Sequence, residues 1–179
     1  VAIADRMDTL VGVIGIKQLP TGDKDPFALR RAALGIIRIM IDQQMPIDLH
    51  ELIQKSIKLY GDRLTNDAVI PQTLEFIMAR LKAWYLEQGI PSTVFAAVAA
   101  CEITQLHDFH QRIQAVTHFQ TLPEANALSQ ANKRVSNLLK KQPNTEKTIK
   151  INQKLFESPA EKTLAAELEK QQIAMDSLL

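Results

Sequence analysis

Two groups of basic residues have the types and the spacing that could bind phosphate groups. The first basic cluster consists of Lys24, Arg30, Arg31 and Arg38. Arg31 and Arg38 are seven residues apart and share one face of a predicted helix, and guanidinium groups beside the free N–H groups of a helix N-terminus suit phosphate oxygens. The alternative is a solvated face, or salt bridges to one of three nearby carboxylates, Asp23, Asp25 or Asp42. Residue type alone favours this alternative.

The second basic cluster lies near the C-terminal end of the chain and consists of Lys133, Arg134, Asn137, Lys140 and Lys141. One polar stripe of a predicted helix contains Lys133, Asn137, Lys140 and Lys141, at positions i, i+4, i+7 and i+8. The opposite stripe is apolar and contains Leu128, Ala131, Val135, Leu138 and Leu139. Several cations and an amide on one rigid face can match a phosphate track and a base edge. The spacing favours nucleic-acid binding and plain solvation equally.

No group of residues has the pattern of a catalytic or metal centre. His107 and His110, with Asp108 beside them, could share a helix face, but a metal site needs a further convergent ligand and a closed shell. We therefore predict a solvated or hydrogen-bonded pair. Cys101 has no basic neighbour in sequence that would lower its pKa, which predicts a buried, inert thiol. Neither a glycine-rich phosphate loop nor a dinucleotide fingerprint is present in the sequence.

The elements that would position both clusters are helices. Apolar residues recur at helical spacing, and no convincing alternation of period two occurs. This pattern predicts an all-α fold, a bundle of about seven helices. The helical stretches, some of them short, cover residues 1–16, 26–43, 49–60, 71–88, 91–100, 106–119, 125–141 and 163–178. Gly12 and Gly15 are expected to weaken the second half of the first helix.

Capping residues locate several helix ends. Asp25 and Pro26 predict an N-cap followed by proline at the first helical position. Two capping boxes, each a hydroxyl residue with a glutamate three positions later, precede the last two helices. They are Thr121 with Glu124, and Ser158 with Glu161. The polar, basic stretch between these helices, residues 142–157, is predicted to be a loop or surface arm.

The composition is that of an ordinary globular protein, with 46% hydrophobic and 23% charged residues. A net charge of +1 excludes nucleic-acid binding through overall charge, so that electrostatic binding must come from local patches. A single cysteine predicts a reduced, cytoplasmic protein. No apolar run approaches the roughly 20 residues that span a bilayer, so no membrane association is predicted. The chain opens at Val1 inside an apolar pattern, which indicates a piece of a longer protein.

Three stretches of the chain resemble one protein family. Residues 4–10 (ADRMDTL) and the sixteen-residue run 20–35 (PTGDKDPFALRRAALG) resemble the signature of the bacterial glycyl-tRNA synthetase β subunit. A chance match over so long a run is implausible. Residues 131–139 (ANKRVSNLL) are similar to a segment near the C-terminal anticodon-binding region of that family. Between residues 45 and 105 the similarity is looser, but the order of helices fits.

The resemblance implies a role in positioning tRNA. In that family an α subunit activates glycine with ATP, the larger β subunit binds and orients tRNA, and both assemble as an α2β2 tetramer. The chain would be a fragment of the β subunit of this ligase, with tRNA(Gly) and the α subunit as partners. It would hold no cofactor, because ATP and Mg belong to the α subunit. Residues 1–105 would end an HD-like helical domain, and residues 106–179 would begin a truncated helical anticodon-binding domain.

Two other functions remain open at this stage. Residues 4–6 also resemble the last helix of HD-type phosphohydrolases, in which Asp5 would be a metal ligand whose companions lie upstream of Val1. We expect Asp5 instead to cap, to accept a hydrogen bond or to pair with Arg6 or another arginine. The second possibility is a purely structural scaffold, with the segment from Asp25 to Arg31 as the joint between domains or subunits.

Overall fold

The computed structural model describes residues 1–20, 24–140 and 156–176, which form eight α-helices and no strand. The helices are α1 (Ala2–Gly15), α2 (Leu29–Asp42), α3 (Leu49–Tyr60), α4 (Val69–Glu87), α5 (Ser92–Ala99), α6 (Leu106–Phe119), α7 (Glu124–Lys140) and α8 (Pro159–Asp176). A 3-10 turn, Gly61–Arg63, follows α3. The predicted all-α fold is confirmed, and each of the eight predicted helical stretches corresponds to one of these helices. None of these helices is long and apolar enough to cross a bilayer.

The first six helices bury their apolar faces against one another. α1 packs on α2, α3 and α4, α2 also contacts α4 and α6, and α5 contacts α4 and α6. The apolar stripe of α2 is fully buried and contains Leu29, Ala33, Ile36, Ile37 and Met40. Each such Leu or Ile stabilises the fold by about 1.5–3 kcal/mol. This burial fixes which side of α2 faces outward.

Gly12 in α1 allows a side chain of α3 to reach the α1 backbone. Tyr60 Oη donates a hydrogen bond to the carbonyl oxygen of Asp8 at 2.9 Å, and a Cβ at Gly12 would overlap that hydroxyl. Gly15 makes similar room for the side chain of Leu64. α1 nevertheless continues to Gly15, so a propensity cost of about 1 kcal/mol for each glycine does not end the helix early.

Asp48 joins the start of α3 to the segment that leads into α6. Its Oδ1 accepts a hydrogen bond from the N–H of Glu51 at 3.0 Å, as an N-cap does, and its Oδ2 accepts one from Thr104 Oγ1. The N–H of Leu49 donates to the Thr104 carbonyl oxygen at 3.1 Å. Burial raises the pKa of Asp48, but hydrogen bonds from Thr104, Glu51 and the backbone of His50 outweigh this effect and lower the pKa overall.

The two predicted capping boxes have different outcomes. The box of Ser158 and Glu161 is confirmed: the Glu161 N–H donates to Ser158 Oγ at 3.3 Å, and a Glu161 carboxylate oxygen accepts from the Ser158 N–H at 3.1 Å. The box of Thr121 and Glu124 is wrong. Thr121 Oγ1 donates instead to the carbonyl oxygen of His118 at 2.7 Å, so the hydroxyl closes the end of α6 rather than opening α7.

α4 begins at Val69, two residues before the predicted start at Pro71. Asn66 Oδ1 accepts a hydrogen bond from the N–H of Ala68 at 3.1 Å just before this helix. Proline is tolerated in a first turn, because the N–H that it lacks would have no partner within the helix. The spacing of apolar residues therefore located α4 but not its first residue.

The chain divides into two compact units, Val1–Ala131 and Asn132–Leu179. α6 belongs to the first unit, where Leu106, Phe109 and Ile113 are part of the core. In the described part of the second unit many apolar side chains are exposed, among them Leu138, Leu139, Leu164, Leu168 and Ile173. The assignment of residues 1–105 and 106–179 to an HD-like and an anticodon-binding domain stays a prediction.

Candidate nucleic-acid interface

A tight turn before α2 positions the first basic cluster. The Asp25 carboxylate accepts hydrogen bonds from the N–H groups of Leu29 at 2.8 Å and Arg30 at 3.0 Å, and its carbonyl oxygen accepts one from the Ala28 N–H at 3.1 Å. Ala28 is left-handed, with φ 55°. The prediction of Asp25 as the N-cap, with Pro26 at the first helical position, is wrong, because Ala28 is the N-cap and α2 begins at Leu29. The Asp25 carboxylate still accepts hydrogen bonds from the first N–H groups of α2 across the turn.

The first turn of α2 has fewer free N–H groups than the sequence predicted. The turn already occupies two N–H groups that were expected to be free for phosphate oxygens. Arg30 is half-buried, and the other three members, Lys24, Arg31 and Arg38, are exposed. These three form no ion pair with any described residue, so the alternative of salt bridges to Asp25 or Asp42 is wrong for them, and the alternative of a solvated face stays open. Asp23, the third predicted partner, lies outside the described residues.

Arg6 of α1 joins this cluster across a groove between α1 and α2. The groove has a volume of about 350 Å³, and its lining includes Asp5, Arg6, Thr9, Phe27, Ala28 and Arg31. Gly35 makes the approach of Arg6 possible, because a Cβ at Gly35 would lie 2.5 Å from Arg6 Nε. Helical spacing did not identify Arg6 or Phe27 as binding residues. Arg6 could have been found only from its position opposite the small residue Gly35 on the neighbouring helix. That position is known only once the packing of the two helices is known.

Asp5, the residue that resembles a metal ligand of HD-type domains, is exposed in the same groove. Arg6 Nη1 donates a hydrogen bond to the carbonyl oxygen of Ala2 at 2.9 Å rather than to Asp5. The expected pairing of Asp5 with an arginine is therefore wrong within the described residues. No three His, Cys, Asp or Glu side chains in that part of the chain are placed to hold a metal ion together.

The second basic cluster lies along α7. Its described members, Lys133, Arg134, Asn137 and Lys140, are all exposed. The three cations form no ion pair within the described ranges, and Lys141 lies outside them. The apolar stripe of α7 is also open: Val135 and Leu138 expose 54% and 65% of their surface. Within the second unit, α7 therefore carries exposed cations and exposed apolar side chains.

A hydrogen-bonded histidine connects α4 and α6. Tyr85 Oη lies 2.8 Å from His110 Nδ1, and Gln114 Nε2 lies 3.0 Å from His110 Nε2. Burial lowers the pKa of His110, the neighbouring charge of His107 lowers it further, and Asp42 opposes both effects. The predicted hydrogen bonding is confirmed for His110, whereas His107 Nδ1 is buried without a partner.

Cys101 contradicts one sequence prediction. Its thiol is exposed, where a buried thiol was expected. The residue follows α5, in the turn that leads toward α6, and its Sγ lies 3.8 Å from the carbonyl oxygen of Ala97. The absence of basic neighbours in sequence concerns the reactivity of a thiol, and it carries no information on exposure.

Comparisons with known proteins identify relatives over nearly the whole chain. Residues 1–100 match a family described as glycyl-tRNA synthetase beta subunit. The chain is 52% identical over 178 residues to the glycine–tRNA ligase beta subunit of Coxiella burnetii (strain RSA 331 / Henzerling II), an alignment that covers 99% of this chain and 26% of the relative. It is 51% identical over 168 residues to the protein of the same name from Proteus mirabilis (strain HI4320), with 94% and 24% covered. The chain thus spans about a quarter of the length of these relatives.

Proposed function

Since the chain belongs to the glycyl-tRNA synthetase beta subunit family, we propose that it is a part of such a subunit that binds and positions tRNA. It would support the ATP-dependent attachment of glycine to tRNA(Gly) at an active site in the α subunit. The family resemblance of residues 4–10 and 20–35 is confirmed by this membership. The tRNA, the α subunit and the activity belong to the proposal, because the chain spans about a quarter of its relatives.

The observation that carries the proposal is the exposure of the cations. Arg31 and Arg38 on α2 and the three cations of α7 face solvent and pair with no described carboxylate. A cation in a salt bridge must lose its carboxylate partner before it can bind a phosphate. The exposed cations of the two clusters have no such partner among the described residues. A purely structural joint at residues 25–31 would favour buried, paired arginines, and Arg31 is neither. With a net charge of +1, attraction for RNA must come from local groups of cations such as these.

In the proposed arrangement this chain makes and breaks no covalent bond. Its residues hold the RNA, and holding two reactants in the right geometry can itself lower a reaction barrier by several kcal/mol. ATP and Mg would be bound by the α subunit, in an α2β2 assembly in the cytoplasm. Contacts between these cations and RNA phosphates would affect how tightly the tRNA binds and how it is oriented.

Aminoacylation kinetics of the intact enzyme test the proposal. Alanine replacements of Lys133, Arg134 and Lys140 together remove three exposed positive charges from α7. We expect the KM for tRNA(Gly) to rise roughly tenfold or more at physiological salt, because removing a cation that neutralises a phosphate weakens binding. The KM for glycine and the KM for ATP should stay unchanged.

A matched control removes charge elsewhere in the chain. Lys55→Ala with Lys58→Ala takes two exposed lysines from α3, one of which pairs with Glu51 at 3.6 Å on the surface. This variant should leave all three KM values unchanged. An unchanged KM for tRNA in the α7 variant would remove the second basic cluster from the RNA-binding surface. The same experiment with Arg31→Ala and Arg38→Ala decides the role of the first cluster.

A further inference from the structure

We propose that the Asp25–Ala28 turn binds one unpaired nucleotide of the RNA, with Phe27 as the surface on which the base stacks. This inference rests on the proposed function and specifies which part of the RNA would bind at this turn. Phe27 is 47% exposed, although phenylalanine is among the residues most often buried. Exposed aromatic rings in cationic surroundings are a usual means of holding single-stranded bases.

Hydrogen bonds within the turn fix the backbone on both sides of Phe27. Asp25 fixes both ends of the turn: its carbonyl oxygen accepts from the Ala28 N–H, and its carboxylate accepts from the first N–H groups of α2. Pro26 restricts the backbone just before the ring, and Ala28 keeps a left-handed φ of 55° that residues with a Cβ rarely adopt. A backbone fixed in this way loses little freedom when a base stacks on the ring that it carries.

Phe27 lines two cavities, and each of them is also lined by at least one cation. The groove between α1 and α2 places Phe27 beside Arg6 and Arg31. Phe27 also lines a second cavity, of about 300 Å³, whose lining includes Lys24. A nucleotide within a strand carries its base between two backbone phosphates, so a base stacked on Phe27 would bring a phosphate toward each side. Asp5 lines the groove as well, but the two guanidinium groups outnumber it.

These features favour an unpaired nucleotide over duplex RNA or a protein surface. Bases inside a duplex are stacked on one another and offer no free face to an aromatic side chain. A protein partner would have to place several carboxylates around a single apolar group in order to match Arg6, Arg31 and Lys24. A nucleotide supplies the flat apolar face and the negative charges as one chemical unit.

The test uses tRNA(Gly) transcripts that carry 2-aminopurine, a fluorescent base quenched by stacking, at one unpaired position at a time. Binding to the intact enzyme should change the fluorescence at one such position. Phe27→Tyr should keep this change, because the ring remains, and Phe27→Leu should abolish it. Phe27→Leu should also raise the Kd roughly tenfold, the usual effect of losing one base–aromatic stack. It should leave the salt dependence of binding unchanged, because every cation that faces a phosphate is retained.

Arg31→Ala separates this inference from the proposed function. It should weaken binding and lower the slope of log affinity against log salt by about 0.7, the value for one phosphate of single-stranded RNA that is no longer neutralised. If Arg31→Ala has this effect while Phe27→Leu changes neither fluorescence nor affinity, the stacking site is overturned and the proposed function stands. If neither variant alters tRNA binding, the stacking site and the role of the first basic cluster both fall. Dissociation of the enzyme by Phe27→Leu, with RNA binding retained, would identify a protein interface and overturn the inference.

Discussion

The two basic clusters lie on helices whose apolar sides have different surroundings. α2 buries its apolar stripe completely, so that Arg31 and Arg38 stand on a fixed frame. α7 carries the same combination of apolar and cationic faces, yet Val135 and Leu138 are more than half exposed. Both patterns predicted a helix correctly. The difference shows that an apolar stripe identifies the side of a helix that needs a partner, without revealing whether the same unit supplies one.

The largest expected effect comes from truncating one buried and one exposed residue of similar size. Ile37→Ala on α2 should lower the free energy of unfolding by about 3 kcal/mol, because it leaves a cavity in a fully buried site. Leu138→Ala on α7, where 65% of the side chain is exposed, should cost less than about 0.5 kcal/mol. Urea unfolding of the 179-residue chain measures both. Equal losses would abolish the contrast between the two helices.

A smaller effect is expected at the joint between α3 and α6. Asp48→Ala removes an N-cap and the acceptor for the Thr104 hydroxyl, and it should lower the free energy of unfolding by about 2 kcal/mol. Asp108→Ala is the matched control, because it removes only an exposed pair with Arg112 at 3.0 Å and should cost less than about 0.5 kcal/mol. Similar losses for the two variants would show that Asp48 does not join these helices.

The helices could be predicted from local pattern because each one has a continuous apolar stripe. α6 was predicted at its observed bounds, Leu106–Phe119. The first residues of helices were predicted less well where a capping side chain can form either of two competing hydrogen bonds. Asp25 reaches over a turn to Leu29 and Arg30, and Thr121 bonds backward to α6. Such choices depend on differences of about 1 kcal/mol between competing hydrogen bonds, which residue type does not reveal.

The candidate interface was predicted only in part. The exposure of Arg31 and Arg38 follows from their position opposite the stripe of α2, which the sequence shows. The position of Arg6 beside this cluster could not be predicted from the sequence. It depends on the packing of α1 against α2 at Gly35, where the missing side chain leaves room for the arginine. Family membership was predictable from residues 20–35, because a sixteen-residue run carries more information than any spacing rule.

A third prediction concerns pH and separates the two units. Because burial lowers the pKa of His110, the neutral ring stabilises the fold. This contribution is complete above the ordinary value of 6.5 and is lost as the pH falls through the lowered pKa of the folded state. The first unit should therefore lose stability as the pH falls below the ordinary histidine value of 6.5, whereas residues 132–179 contain no histidine. His110→Gln should reduce that loss in chemical unfolding followed by Trp84 fluorescence. A loss of the same size in this variant would refute the assignment.

The smallest expected effect concerns Gly35. Gly35→Ala should change the free energy of unfolding by less than about 1 kcal/mol, because the gain in helix propensity offsets the displacement of a flexible arginine. It should nevertheless weaken tRNA binding a few-fold, since Arg6 would leave the groove. Arg6→Ala should weaken binding to the same degree, and the double variant should add nothing further. Additive losses in the double variant would separate Gly35 from Arg6.

The most direct test of the account is the salt dependence of tRNA(Gly) affinity in the intact enzyme. We expect Arg31→Ala with Arg38→Ala, and separately Lys133→Ala with Lys140→Ala, to flatten the slope of log affinity against log salt by about 0.7–0.9 for each phosphate that is no longer neutralised. The flattening should be absent from the variant that lacks Lys55 and Lys58. Slopes that stay parallel to the unmodified enzyme in both interface variants would show that these exposed cations do not contact the RNA backbone.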